Sequence, residues 1–209
     1  MSAAFAFAVG QAAQSGTVAS VSSEAVTDAR LSRCVADSSC TGADGYELAR
    51  RYENDTGLRA ALFVNEEGSA VLAFRGTRFF SIRDWIANFR QAFGLASSQY
   101  ESAILTARQL HRDYGGNIRF TGHSLGGGLA AAAAIHTDAS ARVFNAAGLH
   151  DNTLGDFSSE RGSVTHYYSS TDALRAGNAL TPASVPGTQR SLGPAGLHGM
   201  RGVCRAMGC

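Results

Sequence analysis

The residues with the clearest chemical pattern are Gly122-His123-Ser124-Leu125-Gly126. A serine between glycines at this spacing can ride a sharp turn from a strand into a helix, where its hydroxyl stands clear and can attack a carbonyl carbon. In a chain with 24 glycines the five-residue pattern alone is common. Its surroundings make it specific. An apolar run from Ile118 to Thr121 leads into it and an Ala-rich run from Leu129 to His136 leads out, which is the strand-turn-helix setting that the chemistry needs. Gly127 and Gly128 prolong the side-chain-free start of that helix.

A serine hydroxyl is a poor nucleophile until a base takes its proton and a carboxylate orients that base. With the order Ser, acid, His along the chain, His111 and His123 come too early to be the base. His136 ends the Ala-rich run, His150 follows the next strand closely, and His166 lies within a strand run. His198, in Gly196-Leu197-His198-Gly199-Met200, is the candidate base. Asp172 follows a strand within Ser169-Ser170-Thr171-Asp172 and is the candidate acid, with Asp151 and Asp156 as rivals. An oxyanion needs donors already aimed at it. The N–H of Leu125 is one candidate, and Thr77, in Arg75-Gly76-Thr77, offers a second N–H and a hydroxyl.

These side chains need a frame. Leu58 to Val64 and Ala70 to Phe74 read as strands of a hairpin joined through Asn65, Glu66, Glu67 and Gly68. The second is apolar throughout, as a strand covered on both faces must be. Ser98 to Tyr114 has helical spacing and stops at Gly115-Gly116. Ala141 to Ala146 and Ser163 to Tyr168 read as further strands. Weak helical spacing from Val18 to Arg33 and from Gly45 to Asn54 predicts two short helices before the hairpin. The alternation predicts an α/β fold with a mainly parallel sheet, residues 1–20 forming a loose arm and residues 21–209 one domain.

Composition narrows the function. All 18 basic residues are Arg, balanced by 17 acidic residues, and no Lys is present. Schiff-base and P-loop lysine chemistry is therefore excluded. A nearly neutral, unclustered charge argues against nucleic acid as a partner. No apolar run has the roughly 20 residues of a membrane span, and the first residues lack the basic leader of a signal peptide. Cys34 with Cys40 and Cys204 with Cys209 form two close pairs, read as disulfide cysteines, and their spacing and missing His partners do not suit zinc. No metal or other cofactor is expected. Disulfides imply an oxidising compartment.

Phe74-Arg75-Gly76-Thr77, Asp84-Trp85 with Asn88, and Gly122-His123-Ser124-Leu125-Gly126-Gly127, in that order, resemble the class 3 lipases of the α/β-hydrolase fold. Phe144-Asn145-Ala146-Ala147-Gly148-Leu149 and Leu197-His198-Gly199-Met200 are similar to a bacterial phospholipase-like branch that includes antibacterial type VI secretion effectors. The resemblance covers roughly residues 45 to 200. It implies Ser124 as nucleophile, Asp172 as acid, His198 as base, and Thr77 with Leu125 as oxyanion donors. It further implies a serine-dependent lipid esterase, a lipase or phospholipase A, delivered to an oxidising compartment such as a target periplasm. An effector of that kind would have an immunity-type inhibitor as partner.

Only seven residues separate Thr77 from Trp85, too few for a long lid helix. Phe79, Phe80 and Ile82 are candidates for a short apolar rim in transient contact with a lipid interface, and Phe89 and Phe93 for an acyl channel. The competing reading is a non-catalytic lipid- or protein-binding module on the same fold.

Overall fold

The computed structural model describes residues 21–76, 82–149, 162–174 and 184–209, the side chains of 82–97 excepted. Residues 1–20, Thr77, Phe79, Phe80, His150, Asp151 and Asp156 lie outside the described residues, as do the side chains of Ile82, Trp85, Phe89 and Phe93.

The described strands form one sheet whose spatial order follows the sequence: β1 (Gly42–Ala43), β2 (Tyr46–Glu53), β3 (Arg59–Asn65), β4 (Ala70–Phe74), β5 (Ile118–His123), β6 (Ser140–Phe144), β7 (Ser163–Tyr168) and β8 (Thr188–Ser191). β1 to β4 are antiparallel, and β4 to β8 run parallel. Among the described residues they are accompanied by the helices α1 (Ser23–Cys34), α2 (Ile82–Asp113), α3 (Leu125–Thr137) and α4 (Met200–Met207). This is the mainly parallel, helix-flanked sheet of an α/β-hydrolase fold.

The hairpin of β3 and β4 is where the sequence puts it. Asn65 closes its loop, accepting from the Gly68 N–H through its carbonyl and from the Ser69 N–H through its side chain. Residues 46–53 form β2, not the helix that their spacing suggested. Pairing along β3 outweighs a weak local pattern there, with a register shift between Leu48 and Arg50. β8 and α4 are elements to which the sequence reading assigned neither strand nor helix. All four residues of β8 are exposed, and only its backbone pairing with β7 marks it as a strand.

Period-two burial explains the apolar strands. Ala60, Leu62, Leu72 and Phe74 face one layer with Ala103 and Ala107 of α2 and Leu129 of α3. Ala61, Phe63, Val71 and Ala73 face the other, under Leu31 and Cys34 of α1. Phe144 and Tyr167 pack there with Ala25 and Ala29 of α1 and Val203 and Met207 of α4. α3 is buried from Leu125 to Ile135, and its glycines and alanines let it lie close to the sheet.

Cys34, the last residue of α1, forms a disulfide with Cys40. The expected second bridge is not formed, since Cys204 and Cys209 are free thiols. Gly208 ends α4 in the left-handed conformation at φ 83°, and the Cys209 N–H turns back to the Cys204 carbonyl at 2.9 Å. The neighbouring Cys209 thiol, with the Arg33 and Arg30 guanidiniums nearby, pulls the Cys204 thiol down to about 7.

Between β5 and β6 the sheet beneath α1 carries a polar patch. Asp28 is fully buried and accepts from Arg119 Nε at 2.9 and 3.2 Å and from Arg142 Nη1 at 2.9 Å. Arg119 also donates to Tyr46 Oη at 2.9 Å and lies over the Tyr46 ring. Burial pushes the Asp28 carboxyl above its usual range, against the two guanidiniums that draw it down. Removing the carboxylate strands two partly buried cations between β5 and β6. Asp28→Ala should therefore lower unfolding free energy by about 3 to 5 kcal/mol in urea titrations, whereas an exposed pair such as Arg59 with Glu53 should change it by less than about 1 kcal/mol.

Candidate active site

Ser124 lies between the end of β5 and the start of α3, with φ 59° and ψ -128°. A side chain there is strained by roughly 1 to 3 kcal/mol, so neighbours must enforce it. They do so through its backbone. The Ser124 N–H donates to the Phe144 carbonyl at 3.1 Å, and its carbonyl accepts from Gly127, Gly128 and Ala147 at 3.0, 3.2 and 2.9 Å. Two glycines make the turn sterically possible. A Cβ on Gly122 would sit 2.2 Å from the Gly126 carbonyl oxygen, and one on Gly126 would sit 2.3 Å from the Phe74 carbonyl oxygen.

The structure brings Ser124, His198 and Asp172 together. His198 Nε2 lies 2.9 Å from Ser124 Oγ, and His198 Nδ1 lies 2.8 Å from Asp172 Oδ1. Asp172 is 5% exposed, and its Oδ1 also accepts from the Leu174 N–H at 3.0 Å. A hydroxyl, an imidazole and a buried carboxylate thus form one continuous hydrogen-bonded chain across three loops. This arrangement can move a proton off Ser124 Oγ and hold the resulting imidazolium.

Leu125 is the first residue of α3, where an N–H has no carbonyl one turn earlier to bond. Thr77 lies outside the described residues, but its predecessor Gly76 abuts the site: a Cβ there would be 3.4 Å from Ser124 Cβ. Among the described residues no group of three or more His, Cys, Asp or Glu side chains could hold a metal ion.

The supporting residues were not legible as such in the sequence. His166, buried on β7, accepts the Ala146 N–H at Nε2 (3.1 Å), so its Nδ1 carries the proton and donates to Gln189 Oε1 at 2.8 Å. Asn145 is 1% exposed, with φ 41°. Its Oδ1 accepts from the Ser169 N–H at 2.8 Å and its Nδ2 donates to the His198 carbonyl at 3.3 Å. His123, set aside on chain order, places Nε2 2.5 Å from that same carbonyl, and its ring centroid lies 4.7 Å from that of His198. The signals that sequence does offer are a His beside Ser124 and an Asn directly after a strand.

Burial pushes the His123 imidazole down to about 4, and the facing His198 adds to that effect. An unfolded chain would take up this proton near the ordinary 6.5, before the folded one does. The stability that His123 contributes is complete above about pH 6.5 and is lost as pH falls toward about 4, on the order of 3 kcal/mol in all. Urea titrations from pH 7 to 4 should show a steeper loss in the parent than in His123→Gln, with the difference approaching one proton, about 1.4 kcal/mol per pH unit.

Three comparisons bear on this geometry. A family model for the Tle-like phospholipase domain matches residues 42–181, more than half of the chain. Extracellular phospholipase A1 of Serratia liquefaciens is 42% identical over 110 residues, 53% of this chain and 34% of that protein, so the chain spans about a third of this relative's length. The crystal structure of Lip2 lipase from Yarrowia lipolytica superposes with a TM-score of 0.55 over 81% of this chain and 77% of that one, at 14% identity, a likeness of fold. On the family match, the chain belongs to the Tle-like phospholipase domain family.

Proposed function

We propose that the chain hydrolyses carboxylic esters of lipids through an acyl enzyme on Ser124. The observation that carries this reading is the continuous chain from Ser124 Oγ through both nitrogens of His198 to Asp172 Oδ1, at 2.9 and 2.8 Å. His198 Nε2 takes the hydroxyl proton as Oγ attacks the acyl carbonyl carbon, while Asp172 stabilises the imidazolium at Nδ1. The N–H groups of Leu125 and Thr77 receive the oxyanion. Collapse of the tetrahedral intermediate breaks the ester bond, and His198 returns the proton to the departing alcohol. Water, deprotonated by the same imidazole, then releases the fatty acid.

Phospholipids are the preferred substrate class on this reading, supported by the family and by the phospholipase A1 relative. Phe79, Phe80 and Ile82 form the apolar rim that meets the lipid surface. Contact through such a rim is transient on this reading; no described helix is long and apolar enough to cross a membrane. The Cys34–Cys40 disulfide and the extracellular relative favour an oxidising destination. Delivery as an antibacterial type VI effector, paired with an immunity-type inhibitor, extends the reading along the resemblance in sequence.

Fatty-acid release from phosphatidylethanolamine vesicles tests the assignment. Ser124→Ala should lower the rate by at least about 10⁴-fold and Asp172→Asn by about 10³- to 10⁴-fold. Release by Ser124→Ala at the parent rate would remove Ser124 as the nucleophile, and no release by the parent above a protein-free control would leave the non-catalytic module as the surviving reading. Separately labelled sn-1 and sn-2 chains would give the regiochemistry.

A further inference from the structure

The segment that carries His198, between β8 and α4, has neither helix nor strand of its own. Its carbonyls hold it in place. That of Gly193 accepts from the Ser170 N–H at 2.9 Å, and that of Gly196 from Ser169 Oγ at 2.6 Å and Thr171 Oγ1 at 3.0 Å. That of Leu197 accepts from the Ala173 N–H at 3.0 Å. The carbonyl of His198 accepts instead from two side chains at the ends of strands far off in sequence, the half-buried His123 Nε2 at the end of β5 and the buried Asn145 Nδ2 just after β6.

We propose that His123 and Asn145 are positioning residues for the base: they grip the main-chain carbonyl of His198 so that its imidazole stays in line between Asp172 and Ser124. This rests on the reading of Ser124, His198 and Asp172 as the reacting set. His123 directly precedes Ser124, so whatever moves the tip of β5 moves the nucleophile and the grip on the base together. Its ring also lies against the His198 ring, 43° from parallel, which limits how that imidazole can tilt.

The residue types fit the task. A nitrogen 2.5 Å from a carbonyl oxygen must carry the proton, so His123 donates from Nε2. As a neutral donor it places no second cation beside an imidazole that must itself become positive. An Arg at that position would donate too, and would oppose the proton transfer. Asn145 supplies the second donor from a left-handed backbone that Asn tolerates better than most residues. Its Oδ1 and its N–H, the latter bonded to the Tyr167 carbonyl at 2.9 Å, fasten the end of β7 from which Asp172 follows. Base and acid are thereby referenced to one residue.

Steady-state kinetics on a soluble short-chain p-nitrophenyl ester tests this with His123→Leu, which removes the donor, His123→Gln, which keeps one, and Asn145→Asp. The Asp variant retains the shape and the acceptor for Ser169 but sets a carboxylate oxygen against the His198 carbonyl. His123→Leu and Asn145→Asp should lower kcat by about 10- to 100-fold with KM within about twofold, and His123→Gln should recover most of the lost rate. A role confined to stability would move melting temperature without this split between kcat and KM. Parent-like kcat in His123→Leu, or a His123→Gln variant as slow as His123→Leu, would overturn the proposal. Should His123→Leu fail to fold by circular dichroism, parent-like kcat in Asn145→Asp would overturn it alone. Ser124→Ala run in parallel separates the two readings. Undiminished activity there removes the reacting set itself, whereas an inactive Ser124→Ala beside fully active His123→Leu and Asn145→Asp removes only the positioning role.

Discussion

A serine held at φ 59° is the constraint on which the rest of the structure depends. The chain must turn from β5 into α3 within one residue, and the strain of that turn is sustained only if neighbouring strand ends close on it. On one side Gly126 lies so near the Phe74 carbonyl that no side chain fits. On the other, Phe144 and Ala147 bond the Ser124 backbone, and the Ala146 N–H between them is held by His166. β4, β5 and β6 must therefore be adjacent and parallel with their ends level, as their register places them. The glycines and alanines of α3 follow from the same demand, because larger side chains would lift the helix and the turn with it.

The opposite face of the sheet answers a different demand. Between β5 and β6, where α1 crosses, Arg119 and Arg142 point away from the α3 layer and share Asp28. An apolar replacement could pack as well, since buried ion pairs contribute little net stability. The network does, however, tie α1 to the two strands whose ends form the serine turn. α4, which begins just after His198, packs on α1 through Val203 and Met207 against Ala25 and Ala29. The segment bearing His198 is thus clamped between strand ends on one side and a docked helix on the other.

How much of this could be read from sequence depended on whether the signal was local. The turn at Ser124 and the β3–β4 hairpin are local, written in glycines, an asparagine and apolar runs, and both formed where expected. His198 was reached by chain order and elimination, Asp172 by its place in a polar turn after a strand with Asp151 and Asp156 as rivals, and the structure places His198 within hydrogen-bonding reach of both Ser124 and Asp172. β2 was misread because its pairing with β3 has no counterpart in its own spacing. β8 was missed because a strand whose four residues are all exposed carries no apolar alternation. His123, Asn145 and His166 were illegible for a common reason. Their partners are distant main-chain groups or side chains, and no residue type announces which carbonyl it will bind. The second cysteine pair shows the converse limit, since short spacing brought Cys204 and Cys209 close without bonding them.

The central claim is that the His198–Asp172 pair activates one particular hydroxyl. An alkyl fluorophosphonate reports this directly, because it phosphonylates a serine whose proton a neighbouring base removes and leaves ordinary serines untouched. Mass mapping of the labelled, folded chain should find a single adduct on the peptide containing Ser124, formed in parallel with loss of ester hydrolysis. An unlabelled Ser124, or an adduct on another serine that tracks the loss of activity, would contradict the account.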